Sequence, residues 1–192
     1  MELVYATSND AKFQIALSAL AGTGVLLTRS GIDLPEIQSL DVEQIAVFSS
    51  IWASRELDCP VIVTDVGFYI EGLRGFPGPF VKYTNHWFAA KDIVKLMGAT
   101  ENRNAYVKEC LALCQPNHPP LVFHKEIKGV IVHELAESLD GGSVMDRLFK
   151  PEHYSTVLAD LCKTDEVPFW SRHSAFHLLK DYLHAHGFLA SR

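Results

Sequence analysis

A chain of 192 residues, 48% of them apolar, is long enough to bury a full core, so a single domain over 1–192, built as one body or as two lobes, is expected. Its formal net charge of −6 argues against bulk attraction to a nucleic-acid polymer or an anionic membrane, and leaves room for a small anionic ligand held by a few cations. No apolar run approaches the roughly 20 residues that cross a bilayer, the first residues read as a strand rather than a signal peptide, and the scattered Cys59, Cys110, Cys114 and Cys162 form no disulfide scaffold, so a cytoplasmic setting is expected.

Leu3-Val4-Tyr5-Ala6 reads as the first strand. Thr7-Ser8-Asn9-Asp10-Ala11-Lys12 then leads into Phe13, Ala16, Leu17 and Leu20 at helical spacing, with Gly22 and Gly24 closing the segment. A strand, a short polar turn and a helix N-terminus favour an anion through free backbone N–H groups and the helix dipole, and Lys12 adds a charge. The plainer alternative is an ordinary N-cap by Ser8, Asn9 or Asp10. Val25–Thr28 is a second strand, and Pro35 sets an extended approach to Glu36, on its own a solvated loop acid. Asp41 to Leu57 reads as a helix capped by Asp41, with Ile45, Phe48, Ile51 and Trp52 on recurring faces.

The next stretch carries the most chemistry. Val61-Ile62-Val63, bounded by Pro60, reads as a buried strand that brings Asp65 to its end. Tyr69-Ile70 follows, and then a loop with Gly72, Gly75, Pro77, Gly78 and Pro79, shaped by fixed φ angles at proline and free ones at glycine. Lys82 stands just beyond it. A carboxylate, a rigid loop and a lysine suit a site for a metal and a polyphosphate.

This stretch resembles the inosine-triphosphate pyrophosphatase family, enzymes that clear deaminated purine nucleoside triphosphates. The family strand ends in Glu-Asp-Thr/Ser-Gly-Leu and runs into Ala-Leu-Gly-Gly-Leu-Pro-Gly-Pro-Tyr; here stand Thr64-Asp65-Val66-Gly67-Phe68 and Gly72-Leu73-Arg74-Gly75-Phe76-Pro77-Gly78-Pro79-Phe80. The loop matches closely, while Thr64 replaces the first acid. The resemblance extends backwards: Thr7, Asn9 and Lys12 match a Thr-Gly-Asn-x-x-Lys turn that holds the triphosphate, with Ser8 in the glycine's place, and Leu34-Pro35-Glu36-Ile37-Gln38 matches a segment whose glutamate helps bind magnesium.

Beyond it, His86 to Met97 reads as a helix ended by Gly98, and Ala105–Cys114 as a long strand broken at Lys108-Glu109. Pro116, Pro119 and Pro120 mark a turn, and 121–124 and 127–132 read as two further strands. Arg103-Asn104-Ala105-Tyr106 is similar to the family's Arg-x-Ala-x-Phe segment. Cys110 and Cys114, near His118 and His124, raise a zinc site, but strand residues four apart lie about 13 Å from each other. His173, His177 and Asp181 recur at i, i+4 and read as a polar helix face opposite Phe176, Leu179 and Leu183.

Gly141 to Phe149 takes the place of the family's Phe-Gly-Trp/Tyr-Asp-Pro-x-Phe loop, whose aromatic and aspartate frame the purine; Asp146 and Phe149 remain, and Met145 replaces the aromatic. A last helix over about Ser171 to His186 takes the place of a family Lys-Asn-x-x-Ser-His-Arg entry; one alignment sets Arg172 on the arginine, Ser171 on the histidine and Glu166 on the lysine, and a shift of one residue would instead bring His173 near the histidine's place.

The resemblance implies an α/β fold with a long, central, mixed and twisted sheet flanked by helices, and two lobes with a nucleotide cleft between them. It implies Mg²⁺-dependent hydrolysis of a nucleoside triphosphate to the monophosphate and pyrophosphate, usually by a homodimer, to which an exposed aromatic such as Trp87 could contribute. Glu36 and Asp65 would hold the metal, Asp65 would also be the general base, and Lys12 would join them in catalysis. Thr7, Ser8, Asn9 and Lys12 would hold the phosphates, Lys82 and Arg172 would add positive charge, Met145 and Asp146 would border the base, and Ser143 and Ser171 would also bind the substrate. The departures at Thr64, Met145, Glu166 and Ser171 imply altered base specificity or, alternatively, a catalytically impaired relative that binds a nucleotide or a protein.

Overall fold

The computed structural model describes residues 1–135, 143–164 and 169–187. In chain order the elements are β1 (Glu2–Ala6), α1 (Asp10–Ala19), β2 (Leu26–Ser30), α2 (Val42–Leu57), β3 (Val61–Ile70), a 3-10 turn (Glu71–Leu73), β4 (Pro77–Gly78), α3 (Val81–Trp87), α4 (Ala90–Met97), β5 (Asn104–Cys114), β6 (Leu121–Ile131), β7 (Phe149–Pro151), α5 (Leu158–Thr164), α6 (Phe169–His173) and α7 (Phe176–Ala185). The strands form one mixed sheet in the order β2-β1-β3-β5-β6-β7, with β4 paired to β3. β1 is parallel to β2 and β3, while β4 and β7 run antiparallel to their partners. This is the α/β class that the sequence implies. The chain divides into two compact units, one of residues 1–65, 109–125 and 170–192, the other of 66–108 and 126–169.

In the first unit the pleat sorts side chains strictly. Leu3, Tyr5, Ile62, Leu111 and Leu113 point to one face and pack under α1 and α7, against Ala16, Ala19, Phe176, Leu179 and Leu183. Ala6, Val61 and Val63 point to the other face, under Ala53 of α2, and Cys110 and Ala112 meet Val42 and Ala46 of the same helix. Each large apolar side chain buried in this way contributes about 1.5–3 kcal/mol. Tyr5 sets its ring edge-on to Phe176 at 5.3 Å. α1 begins where Asn9 caps it, and α2 where the Asp41 carboxylate accepts the Glu43 N–H at 3.0 Å.

The second unit has its own apolar interior around Phe68, Ile93, Met97, Leu148 and Phe149, with Phe68 and Phe149 edge-on at 5.2 Å. Arg103 is buried there as a backbone clamp, its guanidinium donating to the carbonyls of Ile131 (2.8 Å) and Val132 (2.6 Å).

Several boundaries differ from those expected from the sequence. β3 continues to Ile70, so Asp65 sits inside a strand rather than at its end. Gly67 allows this, because the Tyr69 ring lies where a Cβ at position 67 would be. β5 is unbroken at Lys108-Glu109, since the Glu109 carboxylate finds partners on the helix side of the sheet. β6 likewise runs as a single strand over 121–131 instead of two. The helix expected over 86–97 is two helices, parted where Phe88 turns extended and Asp92 accepts the Ala89 N–H at 2.9 Å. The last helix is also split: Ser174 and Ala175 separate α6 from α7.

Candidate active site

The first unit places α1 and α2 on opposite faces of β1 and β3. In an open parallel sheet that reversal leaves a crevice just beyond the carboxyl ends of the strands concerned. Two chain segments emerge at the ends of β1 and β2, Thr7–Lys12 and the Glu36 segment, and Asp65 lies within the neighbouring strand β3. The register pairs Tyr5 with Ile62, which carries Asp65 past the end of β1 at Ala6.

The turn after β1 is fixed by its own side chains. Thr7 Oγ1 accepts the Asn9 N–H, and Asn9 Oδ1 accepts the Lys12 N–H, each at 3.1 Å, while the Thr7 N–H donates to the Ser30 carbonyl at 3.0 Å. Asn9 is therefore the N-cap, and the first helical N–H groups still lack intrahelical acceptors. Ser8 is exposed and Lys12 half-buried. Asp10 pairs with Arg29 of β2, whose guanidinium also lies 5.7 Å over the Phe13 ring. Arg29 is a cation beside this turn that nothing in its local sequence singles out.

Glu36 is exposed on a segment anchored from both sides. Ile32 and Leu34 pack against the apolar cluster on the α2 face, and Ser49 of α2 donates to the Pro35 carbonyl at 3.3 Å. Strand alternation puts Asp65 on the same α2 face as Val61 and Val63. Asp65 engages other groups of the protein, yet its Oδ2 oxygen is buried and accepts no hydrogen bond. Two carboxylates are hard oxygen donors, and among the described residues no cluster of three or more His, Cys, Asp or Glu side chains forms. This donor set fits a small divalent cation that arrives with phosphate ligands rather than a closed protein cage.

Thr64 faces the opposite side. Its hydroxyl meets the Tyr5 phenol at 2.5 Å in the interior. On that same face lies Glu109, which in the sequence reads only as an interruption of a strand. Its Oε2 accepts the Ala175 N–H at 2.6 Å and its Oε1 accepts from the Ser174 hydroxyl at 3.3 Å. Burial pushes the Glu109 carboxyl above its ordinary range, while those two donors and the charges of Lys12 and His177 pull it back. The one sequence signal for it is an acid at an inward position of an apolar strand.

Arg172 is exposed on α6, whereas Ser171 is buried and its carbonyl accepts from His177 Nε2 at 2.6 Å. In the second unit, Lys82 is exposed on α3. Ser143 and Asp146 bond reciprocally, the Ser143 N–H to Asp146 Oδ2 at 2.8 Å and the Asp146 N–H to Ser143 Oγ at 3.1 Å. Met145 is 2% exposed, turned into that unit's interior. Gly141, Gly142 and Glu166 lie outside the described residues. Cys110 and Cys114 are buried against the α2 face, where Cys114 accepts from Ser54 at 3.3 Å.

The model of the Ham1 family matches residues 3–182. A dITP/XTP pyrophosphatase of Methanopyrus kandleri is 35% identical over 161 residues, 84% of this chain and 85% of that protein. One from Hyperthermus butylicus is 31% identical over 185 residues, 96% of each. The solved Ham1 protein of Staphylococcus aureus shares the fold, with a TM-score of 0.80 at 21% identity over 97% of this chain and 100% of that one.

Proposed function

This chain belongs to the Ham1 family, and on that premise we propose that it hydrolyses a nucleoside triphosphate to the monophosphate and pyrophosphate, with a base preference shifted from that of its relatives. The observation that carries the proposal is the placing of the Asn9-capped turn and the anchored Glu36 segment after the carboxyl ends of β1 and β2, with Asp65 on β3 just past the end of β1. Relatives at 30–35% identity bear the name dITP/XTP pyrophosphatase, which makes deaminated purine triphosphates the first substrates to try.

Each residue has a task in this reading. The turn of Thr7, Ser8, Asn9 and Lys12 binds the phosphate chain, through backbone N–H groups and one ammonium. Arg172, of the same unit, adds a second cation for the phosphates, and Ser171 and Lys82 are further candidates for substrate contact. Asp65 is the general base: it takes a proton from water as the water oxygen bonds to the α-phosphorus. The bond from that phosphorus to the bridging oxygen then breaks, and the electron pair leaves with pyrophosphate. Glu36 and Asp65 would hold a divalent cation, proposed as Mg²⁺, which when bound offsets polyphosphate charge and lowers the barrier to attack. Ser143, Met145 and Asp146 border the base. A buried Met145 offers less stacking area than an exposed aromatic ring, and Asp146 spends one oxygen on Ser143, which supports a relaxed or altered choice of base.

We propose further that residues 1–192 act as one domain, in the cytoplasm and as a homodimer. The test is a panel of nucleoside triphosphates, dITP and XTP among them, assayed for pyrophosphate with Mg²⁺ present. Release that vanishes in Asp65→Asn supports the reading; no release from any triphosphate overturns it.

A further inference from the structure

Glu109 has no task in the chemistry above, although it is an acid set into an apolar strand. Its position on β5 shares parity with Leu111 and Leu113, so it faces α1 and α7 rather than α2. There it serves the backbone. The Ala175 N–H at 2.6 Å and the Ser174 hydroxyl at 3.3 Å both donate to it, at the point where the chain passes from α6 to α7. Ser174 Oγ in turn accepts the Phe176 N–H at 3.3 Å, so the first turn of α7 is tied twice to one strand residue.

Two further contacts extend this tie to residues assigned to the phosphates. His177, in the first turn of α7, donates from Nε2 to the Ser171 carbonyl at 2.6 Å, and that latch holds α6 next to Arg172. Ala175 and Phe176 pack with Ala16 and Ala19 of α1, the helix whose first turn bears Lys12. The charges of Lys12 and His177 both act on the Glu109 carboxyl and favour its ionised form. One side chain is thus bonded to the corner that follows Arg172, and that corner packs on the helix that bears Lys12.

We propose that Glu109 is a positioning residue for phosphate binding: by fixing the start of α7 it sets Arg172 and Lys12 at the spacing that one polyphosphate chain requires. The inference rests on the pyrophosphatase reading for its substrate, and its structural part is independent of turnover. A tie of this kind acts on the phosphate end alone. Its removal should weaken every triphosphate to the same degree, whatever the base, and should leave a nucleoside monophosphate nearly unaffected.

Inorganic tripolyphosphate is the probe, because it has no base and undergoes no assay-specific chemistry. Calorimetric binding in magnesium buffer is compared for the intact wild-type chain, Glu109→Ala, Glu109→Gln and Glu109→Asp, with near-ultraviolet circular dichroism to confirm each fold. The expected result is a Kd raised at least tenfold in Glu109→Ala and kept within twofold of wild type in Glu109→Gln, whose amide oxygen can still accept the Ala175 N–H. In hydrolysis, KM should follow Kd while kcat changes less than threefold. Should Glu109→Ala fail to fold, Glu109→Asp decides: its carboxylate is withdrawn by one methylene, and a Kd raised at least threefold supports the tie. Unchanged Kd in Glu109→Ala, or in Glu109→Asp where that variant decides, overturns the proposal, as does a wild-type protein that does not bind tripolyphosphate. A lower melting temperature with unaltered Kd assigns Glu109 to stability alone and also overturns it. Wild-type binding of tripolyphosphate without hydrolysis of any nucleotide would remove the enzyme reading and leave the Kd series to decide this one.

Discussion

The phenol of Tyr5 and the hydroxyl of Thr64 lie 2.5 Å apart in the interior, joining β1 to β3 across 59 residues of sequence. Burial pushes the Tyr5 phenol well above its ordinary range, with the Glu109 charge acting in the same direction, so Tyr5 remains a neutral hydroxyl. Removing either partner strands the other. Thr64→Val and Tyr5→Phe are each expected to cost about 1–3 kcal/mol, and the double variant less than their sum, because the bond is lost only once. Urea unfolding of the four proteins measures this; strict additivity would show that the two hydroxyls do not stabilise the fold as a pair.

Asp65→Asn keeps the size of the side chain and removes its capacity as a base. Pyrophosphate release is expected to fall by at least about 100-fold, with the melting temperature held or raised because a partly buried charge is gone. Activity within tenfold of wild type would move the general base to another residue.

Asn9 performs a local job that can be tested without substrate. Its Oδ1 caps α1 through the Lys12 N–H, so Asn9→Ala should lose about 1 kcal/mol of stability and Asn9→Asp should retain most of it. Thermal unfolding discriminates the two; equal melting temperatures for Ala and Asp would mean that the cap carries no weight.

Glu109 supplies a pH dependence whose sign is fixed. Its folded pKa is raised above the ordinary 4.5, so the folded chain holds that proton more tightly than the unfolded chain does. The resulting stabilisation is complete below about 4.5 and is lost as pH rises through the folded pKa. Relative to Glu109→Gln, wild type should therefore lose melting temperature over that interval. Parallel curves for the two proteins would contradict the raised pKa.

The glycines divide into costly and free positions. A Cβ at Gly72 would overlap the Asn102 carbonyl oxygen and crowd Thr100 Cγ2, and a backbone oxygen cannot swing aside. Gly72→Ala is expected to destabilise by about 1–3 kcal/mol. At Gly31 a Cβ would meet nothing within 4 Å, and Gly31→Ala should stay within about 0.5 kcal/mol. Denaturant midpoints of the two variants give the comparison.

Short-range features are written in the chain itself. The caps by Asn9 and Asp41, the end of α4 at Gly98 and the apolar runs of β1 and β3 each lie within a few residues, since capping and pleat alternation act at that range. The Gly/Pro loop and the Thr7–Lys12 turn are legible for the same reason, and through them the family.

Long-range contacts account for what the chain does not spell out. Asp65 lies within a strand that runs on past it, where Gly67 leaves room for the Tyr69 ring, and β5 passes Glu109 unbroken with an N–H donor 66 residues further along the chain satisfying it. The last helix divides at Ser174 and Ala175 through that same acid. Which face of the sheet receives α1 and which receives α2 fixes where the strand ends open, and no window of sequence contains both helices and the strands between them. Contacts of that span are selected by burial and hydrogen-bond satisfaction across the whole fold, which propensity and spacing cannot express.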